Sequence, residues 1–93
     1  MIQSFRDKVT RDVFDRNLVK GLSPRLQRTV YRKLLLIDAA QSLDDLRVPP
    51  GNRLEKLSGD RRGQYSIRVN DQYRICFVWR EGNPWDVQLA DYH

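Results

Sequence analysis

The 93-residue chain is 40% hydrophobic and carries a formal net charge of +5, from 17 Lys and Arg against 12 Asp and Glu. This composition excludes wholesale disorder and allows one small packed domain over residues 1–93. Its single cysteine, Cys76, excludes an intramolecular disulfide and a cysteine-based metal site.

The first half of the sequence predicts a short strand followed by two helices. Residues 2–5 alternate apolar and polar side chains, which is typical of a strand. From Asp7 onward, apolar residues recur about one turn apart, and Gly21 ends this predicted helix. A second helix begins after Ser23, an N-cap followed by proline, and runs to about Gln41. Its apolar residues fall on one stripe: Leu26, Val30, Leu34 and Ile37.

The second half predicts an antiparallel meander. Residues 49–51 (PPG) forbid a regular element. A possible short strand at 54–56 precedes a glycine-bounded turn at 58–63. Helices followed by strands predict an α+β fold, with N-terminal helices packed on one face of a small, mainly antiparallel sheet. Three longer strands complete it: 64–69, 73–79 and 85–92.

Strand alternation separates the arginines from the core. If the aromatic and aliphatic residues of 73–79 pack on the helices, Arg74 projects to the open side of the sheet. The same rule brings out Arg68 beside it, with Arg61 and Arg62 in the adjoining turn. Together they are candidates for a phosphate cradle. The alternative is that exposed strand positions simply carry solvated polar residues.

The last strand leaves two possibilities open. Val87 and Leu89 must face inward, so strict alternation would bury Asp91 and offer Tyr92 to the open side. Either a bulge redirects the tail, or only Tyr92 and His93 reach a site. His93, the only histidine, is either a solvated chain end or a catalytic group that requires a fixed C-terminus.

The residue inventory points to one kind of chemistry. The sequence has no glycine-rich phosphate loop, no cysteine–histidine pair for a thiol nucleophile and no metal-ligand cluster around His93. Arginines, neighbouring acids, tyrosines and one histidine fit RNA cleavage without metal or other cofactor. In that reaction a base takes the 2′-hydroxyl proton, an acid protonates the leaving 5′ oxygen, and a cation stabilises the phosphorane.

Several segments carry a resemblance to a known family. The run SGDRRGQYSIRVNDQYRICFVW and the terminal DYH closely resemble the HigB toxins of bacterial toxin–antitoxin pairs, a branch of the RelE/ParE superfamily. MIQSF, LIDAA and PPGNRLEKL fit the same pattern, so the resemblance covers essentially the full length. It implies a microbial-ribonuclease-like α+β fold and an mRNA endonuclease acting in the ribosomal A site. It also implies neutralisation by a helix-turn-helix antitoxin of HigA type.

The resemblance also assigns candidate catalytic residues by position. The terminal motif supplies Asp91, Tyr92 and His93, and QYRICF supplies Arg74 as the transition-state arginine. Asp91 would orient or assist His93.

The segment before GDR departs from the family's pattern. Some relatives carry histidine and lysine there, where this chain has Glu55 and Ser58. Glu55 is then a candidate base. Lys56 or Arg62 would offset the lost cation.

Three functions remain as hypotheses. The first is a ribosome-dependent mRNA endoribonuclease toxin. The second is a ParE-like gyrase inhibitor, which would not need His93. The third is a non-catalytic basic interaction module. Growth inhibition that depends on Arg74 and His93 would favour the first, and altered DNA supercoiling would separate the second from the third.

The resemblance and the sequence also predict partners and location. The antitoxin would supply the DNA-reading helices, so operator DNA is expected only through the antitoxin complex. On the basic second helix, Arg28 and Arg32 would contact ribosomal RNA phosphates, an acidic stretch of the antitoxin, or only water. Met1 is not followed by an apolar signal segment, and there is no long apolar run. We therefore expect a cytoplasmic protein without a membrane partner.

Overall fold

The computed structural model describes residues 1–92 as two α-helices and a four-stranded antiparallel sheet. Helix α1 spans Lys8–Phe14 and α2 spans Pro24–Ala39. The predicted α+β fold is confirmed. Within residues 1–92 no helix combines the length and apolar character needed to cross a bilayer. The strands, in both chain and sheet order, are β1 (Glu55–Lys56), β2 (Gln64–Arg68), β3 (Tyr73–Arg80) and β4 (Asn83–Asp91).

Helix α2 begins and ends close to the predicted positions. The Ser23 hydroxyl accepts a hydrogen bond from the backbone N–H of Leu26 at 3.1 Å, and Pro24 occupies the first turn, where its missing N–H costs nothing. The helix ends at Ala39, two residues before the predicted end at Gln41. Its start is therefore set by local sequence, as capping rules predict.

Helix α1 is shorter than predicted, ending at Phe14 rather than near Gly21. Arg16 has a φ of 65°, which ends the helical conformation. The side chain of Gln27, from α2, then hydrogen-bonds two backbone groups of the following loop at 2.6 and 3.0 Å. Because Gln27 satisfies these backbone groups, the loop does not need to continue the hydrogen bonds of the helix. Leu18, one of the recurring apolar residues that predict a helix from Asp7 to Gly21, lies beyond the end of α1 and is 92% exposed.

The N-terminal segment forms less of a strand than predicted. Phe5 makes a single parallel bridge with Val87 of β4. Backbone hydrogen bonds join Gln3 to Pro84 at 2.9 Å and Arg6 to Val87 at 3.0 Å. The shift in register between β3 and β4 marks a bulge in β4, which limits regular pairing along this edge. The segment nevertheless covers the outer edge of β4.

The core lies between the helices and one face of the sheet. Alternation in β3 is confirmed, since Ile75 and Phe77 face the helices and are fully buried. Each fully buried aliphatic or aromatic side chain contributes about 1.5–3 kcal/mol relative to an exposed one. The other fully buried members include Val13, Val30, Leu34, Ile37, Ile67 and Val87.

The proline-rich connection is more regular than predicted. Residues 49–51 were expected to lack a regular element, but Pro50–Asn52 form a 3₁₀ turn. Proline fits the start of such a turn because its missing N–H has no partner there. The buried Asn52 amide donates to two preceding backbone carbonyls at 3.2 and 3.3 Å, and its oxygen accepts from Lys33. These bonds tie the connection to α2.

Candidate active site on the open face of the sheet

The side of the sheet that faces away from the helices is called the open face here. Directly paired residues of neighbouring strands point to the same side, so the register defines its members. Arg68 and Arg74 lie opposite each other across β2 and β3, which confirms that they share this face. The members on β2 to β4 include Ser66, Arg68, Arg74, Cys76, Gln88 and Ala90.

The guanidinium of Arg74 is fixed in orientation by its neighbours. Its Nε donates to the Ser66 hydroxyl at 2.7 Å, and Nη2 donates to the backbone carbonyl of Arg53 at 2.6 Å. The side chain is only 12% exposed. Nη1 carries further N–H donors. Arg74 is therefore a positioned cation that can receive a phosphate without first becoming ordered.

Glu55 lies beside this cation. It is in β1, opposite Ser66, and its Oε2 is 3.9 Å from Arg74 Nη2. The Glu55 side chain is 58% exposed, so it reaches both solvent and the arginine. The next residue, Lys56, pairs with Tyr65 and points to the opposite side of the sheet. Of these two candidates, the structure brings Glu55 and not Lys56 to Arg74.

Tyr92 reaches the open face as strict alternation predicts. Its hydroxyl is 3.7 Å from the thiol of Cys76, and its backbone N–H donates to the carbonyl of Gln72 at 2.6 Å. Burial raises the pKa of the phenol, and the contact with Cys76 raises it further, while the charges of Arg61 and Arg74 oppose the shift. The phenol is therefore a neutral hydrogen-bond donor throughout the physiological pH range.

Asp91 lies on the other side of β4 from Tyr92. It pairs with Tyr73, whose ring packs against the core on the helical side. Its carboxylate accepts from the Gln72 amide at 3.2 Å. The expectation that strict alternation would bury Asp91 is wrong, because β4 ends at this residue and leaves it exposed. His93, the last candidate of the terminal motif, lies outside the described residues.

The position of the bulge decides how the tail is oriented. The register shifts between the pairs formed by Cys76 and Val78, which places the extra residue of β4 at Asp86–Val87. Asp86 has a φ of 53°, as the kink requires. Because this bulge precedes Gln88, alternation is regular from there to Tyr92. No redirection of the tail occurs in the part of β4 that the structure describes.

The arginines of the predicted cradle have different surroundings. Arg61 Nη1 donates to the amide oxygens of Gln64 at 3.3 Å and Gln88 at 3.2 Å, which hold it over the open face. Arg62 is exposed at the end of the adjoining 3₁₀ turn. Arg68 forms an ion pair with Asp71. Arg61 is thus the cradle residue best placed to act together with Arg74.

Arg28 and Arg32 lie on a different surface. Both are exposed on α2, whose buried side packs on the helical face of the sheet. The sheet therefore separates them from Arg74, and they cannot contact the same phosphate. We call the surface around them the basic helix face. It contains a cavity of about 560 Å³. The cavity is lined by Arg16, Arg25, Arg28, Thr29, Tyr31 and Arg32.

Sequence reasoning missed the groups that position the candidates. Ser66 and Cys76 are buried residues of the open face: the Ser66 hydroxyl holds Arg74, and the Cys76 thiol contacts the Tyr92 hydroxyl. Alternation in QYSIRV and YRICFVW carried the signal, since both residues share the parity of the arginines. No sequence pattern predicted the contact with the carbonyl of Arg53, because the position of that carbonyl depends on the left-handed conformation of Arg53 itself, with a φ of 45°. Within residues 1–92, no three side chains of metal-ligand type come together.

Comparison with known proteins places the chain among toxins. A family model described as RelE-like toxin of type II toxin–antitoxin system HigB matches residues 3–93. Toxin HigB-1 of Vibrio cholerae is 43% identical, over 96% of this chain and 95% of its own length. Endoribonuclease HigB of Proteus vulgaris is 31% identical, over the full length of both chains.

Comparison with solved structures concerns the fold alone. The toxin–antitoxin complex YoeB–YefM of Staphylococcus aureus contains a chain that superposes with a TM-score of 0.61 at 18% identity. The match covers 100% of this chain and 98% of the other. A heterotetrameric form of the same complex gives the same values. Two helices on a four-stranded antiparallel sheet are thus an arrangement that these solved structures share.

Proposed function

Since the chain belongs to the HigB-like family of RelE-like toxins of type II toxin–antitoxin systems, we propose that it is an endoribonuclease that cleaves mRNA in the ribosomal A site. The observation that carries the proposal is the guanidinium of Arg74, held in one orientation on the open face. A relative that is named an endoribonuclease, from Proteus vulgaris, supports this class of activity.

The proposed reaction is a transesterification of the RNA backbone. A base removes the proton of a 2′-hydroxyl, whose oxygen attacks the adjacent phosphorus. The bond from phosphorus to the 5′ oxygen breaks, and an acid protonates that oxygen. The products are a 2′,3′-cyclic phosphate and a 5′-hydroxyl. Arg74 stabilises the extra negative charge on the phosphorane, because its position is set before the RNA binds.

Side chains near Arg74 have the chemistry for the two proton transfers. The Glu55 carboxylate, 3.9 Å from Arg74, is the proposed base. The Tyr92 phenol is protonated at neutral pH, since burial only raises its already high pKa, and it is the proposed acid. The roles of His93 and Asp91 rest on the terminal motif alone. That motif offers His93 as an alternative to Glu55 or Tyr92 for one of the two proton transfers, with Asp91 to orient or assist it.

The remaining cations near the site are proposed to bind RNA phosphates. Arg61 has the strongest support, because two glutamine side chains hold it over the open face. Arg68 contributes less, since Asp71 already neutralises it. Arg62 and Lys56 are exposed and would act on more distant phosphates.

The basic helix face is proposed to dock on ribosomal RNA. Arg28 and Arg32 are exposed there, on the far side of the sheet from Arg74. Contacts with ribosomal phosphates would orient the open face toward the message in the A site. The ribosome would then supply positioning that so small a protein lacks, so purified protein should cleave free mRNA poorly.

An antitoxin is the proposed partner that neutralises the toxin. The chains of similar fold occur in toxin–antitoxin complexes, which supports such a partner. We propose a HigA-like helix-turn-helix protein, with operator DNA bound only through the complex. The cytoplasmic location stays a prediction from the sequence.

The first experiment maps RNA ends by primer extension on a message translated in a purified system. Wild type is compared with Arg74→Ala and His93→Gln, and with Arg47→Ala as a matched control whose guanidinium already pairs with Asp44 at 3.0 Å. Codon-spaced cuts that require ribosomes, persist in the control and vanish in the two site variants are expected. Folded, growth-inhibiting wild type that makes no cuts would overturn the proposal, and altered DNA supercoiling would then support a gyrase inhibitor.

A further inference from the structure

A polar cleft opens at the edge of the sheet, beside the open face. Its cavity of about 310 Å³ is lined by Arg6, Asp60, Arg61 and Gln88, and we call it the edge cleft. The volume corresponds to roughly ten water molecules. Two guanidinium groups and one carboxylate give its lining a formal charge of +1.

Hydrogen bonds hold both sides of the edge cleft in the folded protein. The N–H of Arg6 donates to the carbonyl of Val87 at 3.0 Å, and the N–H of Val87 donates to the carbonyl of Ser4 at 3.1 Å. On the other side, Arg61 is held by hydrogen bonds to Gln64 and Gln88. Arg6 itself is exposed, so its guanidinium can reach a ligand in the cleft.

The edge cleft lies next to the candidate active site. Gln88, in its wall, lies directly opposite Cys76, whose thiol is 3.7 Å from the hydroxyl of Tyr92. Arg74 is two residues from Cys76 on the same strand, which is roughly 7 Å at the usual rise of a β-strand. Gln88 lies one strand farther, roughly 5 Å across the sheet from Cys76, so the edge cleft begins at a distance from Arg74 comparable to one or two nucleotide steps along an extended RNA strand.

We propose that the edge cleft is a subsite that binds the nucleotide next to the scissile phosphate. Arg6 and Arg61 contact its phosphate, and Asp60 accepts a hydrogen bond from a donor on its sugar or base. This inference rests on the proposed endoribonuclease function and extends it to residues outside the Arg74 centre.

The carboxylate of Asp60 argues for a nucleotide and against a free anion. A carboxylate beside the two arginines repels a small anion that presents only acceptor oxygens. A nucleotide offers a phosphate to the arginines and, within reach, hydroxyl or amino donors to Asp60. Phosphate contacts fix the register of the strand, whereas contacts with a base add sequence preference.

The test removes the same contact from both partners. Ribosomes are programmed with short synthetic messages in which one phosphate at a time, other than the scissile one, is replaced by an uncharged methylphosphonate. In wild type, the replacement at one neighbouring position should lower kcat/KM about ten- to a hundredfold, the range of a charge-assisted hydrogen bond. Arg6→Ala should show a similar loss on the native message, and that methylphosphonate should then cost the variant less than it costs wild type, because only Arg61 still contacts the phosphate.

Controls separate this proposal from the one on which it rests. Arg11→Ala removes another exposed arginine, on α1 and outside the edge cleft, and should cleave like wild type. Wild type that does not cleave the native message overturns the endoribonuclease proposal and the subsite with it. If wild type cleaves, an Arg6→Ala variant with unchanged kcat/KM overturns the subsite. The subsite is also overturned if the methylphosphonate lowers kcat/KM by the same factor in Arg6→Ala as in wild type, because the two changes then act independently. Asp60→Ala with unchanged kcat/KM removes Asp60 from the subsite.

Discussion

Replacing Ser66 with alanine should slow cleavage without removing a group that contacts RNA. Ser66 is fully buried, and its hydroxyl accepts the Nε–H of Arg74 at 2.7 Å. In the alanine variant the Nε–H of Arg74 loses its acceptor, and water cannot easily replace it because the Arg74 side chain is only 12% exposed. Arg74 keeps its bonds to the carbonyls of Arg53 and residue 66, so it remains near the site with less orientational control.

The expected magnitude follows from this partial loss. A hydrogen bond to a charged group contributes about 1.5–3 kcal/mol, and the remaining bonds to Arg74 place the effect in the lower part of that range. A loss of about 1.5–2 kcal/mol in transition-state stabilisation corresponds to a roughly ten- to thirtyfold fall in kcat/KM. The same loss in folding free energy would lower Tm by roughly 4–8 °C per kcal/mol.

The assay measures kcat/KM for ribosome-coupled cleavage at a temperature well below the Tm of the variant. Urea unfolding measures the folding stability of the same variant. Ser23→Ala is the matched control, because it removes a hydroxyl that accepts a hydrogen bond at the start of α2, outside the candidate site. This control should lose stability and keep the wild-type kcat/KM. Ser66→Thr restores the hydroxyl and should recover most of the activity. A Ser66→Ala variant that loses stability but keeps the wild-type kcat/KM would refute the positioning role.

Three further predictions concern other parts of the molecule. Tyr92→Phe should lower kcat about 10²–10⁴-fold at pH 7. Because burial raises the pKa of the phenol above its ordinary value of 10.0, the ratio of the wild-type rate to the Tyr92→Phe rate should stay constant near neutrality and fall only as pH rises through that higher pKa. A ratio that already falls near pH 7 would contradict this. Leu34→Ala should cost about 2–5 kcal/mol in urea unfolding because Leu34 is fully buried, whereas Leu35→Ala, at a 42% exposed position, should cost well under half of that. Arg28→Ala should reduce the slope of log affinity for ribosomes against log salt by about one, while Arg47→Ala leaves it unchanged; equal slopes would remove the basic helix face from docking.

The sequence predicted the features that depend on neighbouring residues. The start of α2 follows from Ser23 and Pro24, and the division of β3 into buried and open sides follows from alternation. The shared face of Arg68 and Arg74 is a consequence of the same alternation. These features need no knowledge of distant contacts, so a single sequence suffices for them.

Features set by distant contacts were not predictable. The early end of α1 depends on Gln27 of α2, whose side chain hydrogen-bonds the backbone of the loop after α1. The orientation of Arg74 depends on the carbonyl of Arg53, which lies 21 positions away in the chain. The edge cleft requires Arg6 to lie beside β4, a pairing of residues more than 80 positions apart that no local pattern encodes.

The pairing between the N-terminal segment and β4 also determines the order in which the molecule opens. Contacts between residues so far apart in the chain form late in folding, and a single bridge with few supporting bonds can detach before the core does. Amide hydrogen exchange should therefore be faster at Val87, whose N–H is bonded to residue 4, than at Ile75 in the central strand. Detachment would expose the β4 edge, which invites intermolecular strand pairing. It would also dismantle the edge cleft while Arg74 keeps its hydrogen bonds.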